Sequence, residues 1–584
     1  MRLFFRKPAS WSAKLLLSLA LVTSLTGGVA AKGDRDVVNL INFIRGVEPR
    51  SAIDLLEPVR EQLALAKKHD LPTTWLIQYD ALIKPEFTDL LKREMGPEDE
   101  IGAWLEVVQP QAEAAGIPWR GRYPWDWHVN VGFTQGYEVA ERKKLMDVYM
   151  AKFAEVFGRT PKSVGCWVID APTLNYLHDR YGIEAACNCK DQSGTDGYTL
   201  WGGYWNQAYY PSRLNAYMPA QGAERQLDVP VFRMLGSDPV HQYDQGIGSS
   251  WQGVVTLEPI YRPGGGDPGW VDWFFDTNFD QPSLGFSYMQ AGQENSFGWP
   301  AMSEGLIDQY AKLAKRRNRG DIVVETLGES ARWFRRTYPR TPATSVVALE
   351  DSTGAPKRSI WYESRCYRVN FYWDKDRWKI RDLHLFNEDY PERYLDARAE
   401  DIVAHYDTLP LLDGFHWSVP DDLASFSAVA EGEPVRTKGV PKVTGEGADT
   451  LQIECGLKGG GKLVILCEPE SLRIDLKGLG APDRWAMELA WSAEKQVPVS
   501  EVSPHAIGYR HQGFTYQLRC GESAVSRVGD QPRIKVADHR GTIRFDFRPQ
   551  PRKPDENTRN LPTSRAGGDD AGASRLPAGA GAVR

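Results

Sequence analysis

From residue 37 to about 335, short apolar runs alternate with longer runs of helical period. "VVNLINFIRG" is followed by "LLEPVREQLALAKKHD", "PTTWLIQYDAL" by "PEFTDLLKREM", and "SVGCWVIDAP" by "TLNYLHDRYG". "EIGAWLEVVQP", "EAACNCKD", "VPVFRMLGSD", "GVVTLEPIY", "SLGFSYMQAG" and "DIVVETLGES" continue the strand series. Apolar strands separated by amphipathic helices predict a parallel sheet covered by helices, an α/β class. Seven or eight such units close most readily into a (β/α)7–8 barrel. The rival is an open doubly wound sheet, but no Gly-rich dinucleotide fingerprint follows the first strand.

Beyond residue 340 the texture changes. "RSIWYESRCYRVNFYWDKDRWKIRDLHLF", "LQIECGLKGGGKLVILCE" and "GYRHQGFTYQLRC" are short alternating strands with turn residues between them. They predict an antiparallel β-sandwich. The expected organisation is a barrel over 37–338, a β-rich region over 340–548 and a disordered tail over 549–584, rich in Pro, Gly, Ala and charge.

The N-terminus reads as a signal peptide over 1–31: basic residues, the run "LLLSLALVTSL", then small residues up to Ala31. The apolar run is too short for a good membrane span. The reading is therefore an exported protein, periplasmic or extracellular, with no stable span after cleavage. A net charge of −7 offers no footprint for nucleic acid. Seven cysteines are an odd number, so at least one is left over. Cys187 and Cys189 form C-x-C without a second ligand pair and read as buried strand residues. Cys455 and Cys467 stand on adjacent predicted strands, where a disulfide is open. No signal for an oligomeric state stands out.

In a parallel barrel the functional face lies at the C-terminal ends of the strands. Those ends carry Arg45; Gln78, Tyr79 and Asp80; Glu106; Asp170; Lys190 and Asp191; Asp238 with His241; Glu258; and Glu294. One such acid reads equally well as a helix cap. A ring of them reads as a functional site. Thirteen of the 20 tryptophans lie between Trp75 and Trp333, many in long loops such as "WRGRYPWDWHVNVGF" and "GTDGYTLWGGYWNQAYYPSR". Flat aromatic faces beside hydrogen-bonding groups suit sugar rings, and paired carboxyls suit glycosidic chemistry. The ten histidines include no H-x-x-x-H or H-x-x-H. The sequence therefore calls for no metal and no cofactor, although His128, His241 and Asp170 could still converge from distant segments. There is no G-x-S-x-G elbow, P-loop or metalloprotease helix.

The segment "GCWVIDAPTLNYLHDRYGIEAAC" resembles the central motif of the glycoside hydrolase/deacetylase superfamily, which includes NodB-type polysaccharide deacetylases, family-57 amylase-like enzymes and α-mannosidases. Trp167 and Asp170 match the W-x-x-D that carries the nucleophile in α-mannosidases. The resemblance implies a (β/α)7 barrel. The metal-binding pairs of the deacetylases and α-mannosidases are absent, so it points to the metal-free, two-carboxylate branch. Words such as "FIRGVEPR" and "GQENSFGWP" also resemble a group of exported bacterial proteins of uncertain function.

The expectation is an exported glycoside hydrolase acting on a poly- or oligosaccharide. Asp170 is expected as nucleophile or charge stabiliser and Glu258 as general acid, with Asp238, Glu294 and Glu106 in reserve. Arg45, Tyr79, Asp80, Trp127, His128, Lys190, Asp191, Trp205, His241 and Trp299 are expected to line the sugar site. The basic groups hint at an anionic glycan. Three alternatives are a metal-dependent polysaccharide deacetylase, a polysaccharide lyase and a non-catalytic carbohydrate-binding protein.

Overall fold

Every residue of the strand Asp36–Ile44 is buried, as its mostly apolar sequence, with Asn39 and Asn42 tied by hydrogen bonds, suits a strand covered on both faces. It sits near one edge of a nine-stranded sheet. The parallel order runs Ser287–Ala291, Asp36–Ile44, Thr73–Ile77, Glu100–Trp104, Ser163–Gly165, Ala185–Asn188 and Val231–Arg233. Ala208–Tyr209 adds an antiparallel edge beyond Val231–Arg233, and Val323–Val324 pairs alongside Asp36–Ile44. The computed structural model describes residues 35–549 except 195–196, 407 and 479–484. The expected signal peptide over 1–31 lies outside the described residues, as does all but the first residue of the expected tail over 549–584.

The sheet is nearly closed. Across the remaining seam the backbone ladder is replaced by two glutamine side chains. Gln207 Oε1 accepts from the Tyr288 amide at 2.9 Å, and Gln290 Oε1 accepts from the Leu235 amide at 2.9 Å. Gln290 Nε2 donates onward to the carbonyls of Ile41 and Ala291. These buried amides therefore satisfy strand-edge groups that would otherwise face a dry interior.

The helices pack by the stripes their spacing predicts. Leu56–His69 buries Val59, Leu63 and Ala66, and Trp299–Arg319 buries Met302, Leu306, Tyr310 and Leu313. Val139–Phe157 opens on a capping box from Glu138 and Glu141 and stops at Gly158, whose φ is 71°.

One strand expectation fails. "GVVTLEPIY" forms only an isolated bridge between Ser237 and Thr256. Pro259 lacks a ladder donor, and Gly264, Gly265 and Gly266 fold tightly back on the segment, so no ladder propagates. All seven cysteines are free and buried. Cys455 is opposite Leu463 and Cys467 opposite Leu451, so their register does not bring the pair together.

From Thr344 onward the chain forms two large antiparallel sheets, of ten and eight strands. Phe426 of the first meets Phe545 of the second at 5.3 Å between ring centroids. The parallel-sheet and β-rich parts also share structure. Ala404–Tyr406 pairs in parallel with Tyr198–Leu200, and Trp205 stacks flat on Trp361 at 4.2 Å. Asp191, with Arg233 and Tyr217 at 2.9 and 2.5 Å, also accepts from Arg368, which grips Asp382 through two bonds of 2.9 Å. This charge network is fully buried.

Candidate functional site

The first strand ends at Ile44, and the next side chain, Arg45, turns into the mouth of the sheet. Its guanidinium grips Glu106 through Nε and Nη2 at 2.9 and 2.7 Å. Its Nη1 donates to Glu294 Oε1 at 2.9 Å and to Ser296 Oγ at 3.0 Å. Trp125 lies against the cation at 4.1 Å. Gln78 Nε2 donates to Glu106 at 3.1 Å. One buried cation thus serves two buried carboxyls, an arrangement stable only while those partners surround it.

Glu294 is the less satisfied of the two. Ser296 donates to its Oε1, but its Oε2 is buried without a hydrogen-bond partner among the described residues. Burial pushes this carboxyl up to about 7; Arg45 opposes the rise and Glu106 adds to it. Its loop is fixed by Asn295, which accepts from the Arg45 amide at 2.9 Å and donates to the carbonyls of Arg45 and Leu55 at 2.8 Å. Gly292 has φ 104°, and a Cβ there would stand 2.3 Å from the Ile41 carbonyl oxygen. Only glycine lets this loop pass so close to the first strand.

Asp80 accepts from the amides of Gly46 and Ala81 at 3.0 and 2.7 Å, while its other oxygen is buried without a partner. Burial pushes it up to about 6, against those two bonds and Lys84. On another sector, Lys190 Nζ meets Glu258 Oε1 at 3.3 Å, and Thr256 Oγ1 donates to the same oxygen at 3.2 Å. The Glu258 side chain keeps 10% of its surface exposed, against 4% for Glu294 and none for Glu106.

The remaining expected residues have other commitments. Asp170 is wholly buried and caps the helix Ala171–Tyr181. Its Oδ1 accepts from Arg142 and the Thr173 amide, both at 2.9 Å; its Oδ2 accepts from Thr134 and Thr173 hydroxyls at 2.5 and 2.9 Å. Glu392 lies close by, accepting from the amides of Ala171 and Ala216, and burial with the Asp170 charge pushes it up to about 8. Asp238 accepts from the amides of Val240 and His241 and from Trp270. His241 stands between Asp244 at 2.6 Å and Asp351 at 2.9 Å. Asp191 and Trp205 belong to the contacts with the β-rich part. Tyr79 opens a short helix against Tyr149. Trp299 opens the helix Trp299–Arg319 and packs half-buried against its neighbours.

The rim is aromatic. Trp127 stacks on the exposed Tyr123 at 5.9 Å and carries Arg122 and Arg50 over its face. His128 follows, 3.7 Å from Asp126, and burial lowers its pKa. Trp251, Tyr261 and Phe297 are also exposed. Among the described residues, no group of three His, Cys, Asp or Glu side chains could hold a metal ion.

Sequence reasoning thus found Arg45, Glu106 and Glu294, which the fold joins, and Lys190 with Glu258, which it pairs. It missed Ser296 and Trp125. Ser296 was signalled only by its place two residues after Glu294; nothing local ties Trp125 to Arg45.

No protein-family profile matches the chain, and no curated protein sequence matches it. Solved structures do. A glycoside hydrolase/deacetylase candidate from Parabacteroides distasonis is 16% identical with a TM-score of 0.47, covering 64% of this chain and 88% of its own. A polysaccharide deacetylase candidate from Mycobacterium smegmatis is 14% identical with a TM-score of 0.33, covering 54% and 96%. A polysaccharide deacetylase candidate from Pseudomonas aeruginosa is 13% identical with a TM-score of 0.34, covering 52% and 92%.

Proposed function

We propose that this chain is an exported carbohydrate hydrolase whose reaction centre is the mouth of a (β/α)7–8 barrel over 37–338, with the β-rich region over 340–548 packed beside it. The observation that carries the reading is Glu294: a buried carboxyl raised to about 7, with one oxygen unpartnered, beside a second carboxyl on the same arginine. A carboxyl that keeps its proton near neutral pH can deliver it to a glycosidic oxygen.

Glu294 is therefore assigned the general acid. The second carboxyl of a glycosidase must reach the sugar carbon or a water. Glu258 suits that role better than Asp170: it is partly exposed and held by Lys190, whereas both Asp170 oxygens already accept two hydrogen bonds each. Arg45 and Glu106 set the charge around Glu294. Trp127 and Tyr123 offer a platform for a sugar ring.

The test is product analysis on a panel of neutral and anionic polysaccharides, with Glu294→Gln and Glu258→Gln as controls. New reducing ends, lost in both variants, support the assignment. Acetate release without new ends makes the chain a deacetylase, and an ultraviolet-absorbing unsaturated product makes it a lyase. Retention without product makes it a binding protein. Full activity in Glu294→Gln overturns the assigned acid.

A further inference from the structure

A second constellation is built on Ser193, His416 and Asp413. Ser193 Oγ is 2.9 Å from His416 Nε2, and His416 Nδ1 is 2.7 Å from Asp413 Oδ2. The serine comes from the loop after Ala185–Asn188, Asp413 ends the strand Leu409–Asp413, and His416 follows it. The Asp413 carboxylate only accepts, so it fixes the proton on Nδ1 and leaves Nε2 to accept from the serine hydroxyl. Asp413 is itself held: its Oδ1 accepts from the amides of Phe415 and His416 at 2.9 and 2.8 Å. The imidazole is clamped edge-to-face by Trp201 at 5.4 Å and Phe415 at 5.2 Å. Nucleophile, base and orienting acid are thus in hydrogen-bond contact in the required order, the geometry by which such triads are recognised on unrelated folds.

Access and surroundings fit chemistry as well. Ser193 is nearly buried, while 40% of the His416 side chain is exposed, so the pair is reached from solvent along the imidazole. Gly194, with φ 69°, lets the loop lie directly on Ser250 and Trp251: a Cβ at 194 would stand 2.1 Å from the Ser250 carbonyl oxygen and 3.2 Å from the Trp251 Cα. Trp251 is more than half exposed, and its backbone lies against the residue after the serine. Trp201 Nε1, on the ring that clamps the imidazole, is a buried donor without a partner among the described residues. Such a donor is the kind of group that stabilises a developing oxyanion.

We propose that Ser193, His416 and Asp413 form a second hydrolytic centre, a serine esterase that removes short acyl groups from carbohydrate hydroxyls. Ser193 Oγ bonds to the acyl carbon, and its proton passes to His416 Nε2. The carbon–oxygen bond to the sugar then breaks, and His416 returns the proton to the departing alkoxide. Water, deprotonated by His416, adds to the acyl carbon; the bond from that carbon to Ser193 Oγ breaks, His416 returns the proton to Oγ, and the carboxylic acid leaves. The acyl chemistry stands on the triad alone; the choice of a sugar as alcohol rests on the carbohydrate reading above.

The test uses the intact folded chain. Diisopropyl fluorophosphate, followed by peptide mapping, reports the serine without any sugar present. Hydrolysis of 4-nitrophenyl acetate reports turnover, and acetate release from an O-acetylated polysaccharide reports the alcohol. The expected results are one label, on Ser193, and esterase activity on both substrates. Ser193→Ala should abolish labelling and turnover, and Asp413→Asn should lower turnover on the order of 10²–10⁴-fold. A merely structural Ser–His contact would shift melting but give neither label nor turnover. Absence of both in the folded wild type overturns the centre. Label and aryl-ester turnover without release from the polysaccharide overturn the sugar alone. Neither result bears on glycosidic cleavage at Glu294, which yields a different product.

Discussion

Arg45 Nη1 lies 2.9 Å from Glu294 Oε1, while Glu294 Oε2, on the same carboxyl, is buried with no partner. One oxygen is held and the other is left over, as a proton-carrying group requires. Glu294→Gln should keep the Arg45 contact and the fold but remove the exchangeable proton. Turnover on the glycan substrate should fall by about 10²–10⁴-fold, the usual worth of a general acid. Melting temperature, read by circular dichroism near pH 5, where Glu294 still holds its proton, should change little.

Arg45→Met should behave differently. It leaves Glu106 and Glu294 buried without their shared cation, and removing one side of a buried pair costs about 3–5 kcal/mol. Urea denaturation should show that loss. Arg45→Met combined with Glu106→Gln should recover part of it, since one stranded charge is then gone.

The raised Glu294 carboxyl also sets a pH dependence. The native state binds this proton more tightly than the unfolded chain, whose carboxyl titrates near 4.5. Its contribution to stability is therefore full below 4.5 and is lost as pH rises through about 7, on the order of 3 kcal/mol in all. Denaturation midpoints between pH 4 and 8 should show this decline in the wild type and a smaller one in Glu294→Gln. Activity that depends on the acid form should fall above about pH 7.

His241 titrates in a separate window. Its hydrogen bond to Asp244, with Asp238 and Asp351 adding to it and burial opposing, raises it to about 9. The stability it contributes is full below 6.5 and lost as pH rises through about 9. A melting profile from pH 6 to 10 should fall less steeply in His241→Gln than in the wild type.

Arg368 joins Asp191, from the parallel-sheet part, to Asp382 of the β-rich part, fully buried. Arg368→Met should cost about 3–5 kcal/mol, and a chain ending at residue 338 should not fold stably, because Asp191 and Arg233 would lose the groups that complete their network. Expression of that fragment with limited proteolysis checks this; a protease-resistant fragment would contradict it.

The strand–helix alternation was legible because strands covered on both faces are mostly apolar, as six of the nine residues of Asp36–Ile44 are. "GVVTLEPIY" has the same composition, but composition does not reveal that Gly264–Gly266 turn back on it. The acids at the strand ends were legible as residue types, not as partners. Arg45 and Glu106 stand 61 residues apart, and no local pattern links them. Asp170 carried its own signal: an acid followed by Pro172 and Thr173 is an N-cap sequence, which the W-x-x-D resemblance overshadowed. Asp413 and His416 are three residues apart and visible together, but Ser193 lies 223 residues from His416 and only the fold supplies it.

The seam between Val231–Arg233 and Ser287–Ala291 is bridged by the side chains of Gln207 and Gln290. A backbone ladder tolerates most side chains. This seam does not, because it rests on two particular amide groups. Substituting either Gln207 or Gln290 would open the ring at one line while leaving every backbone ladder of the sheet in place.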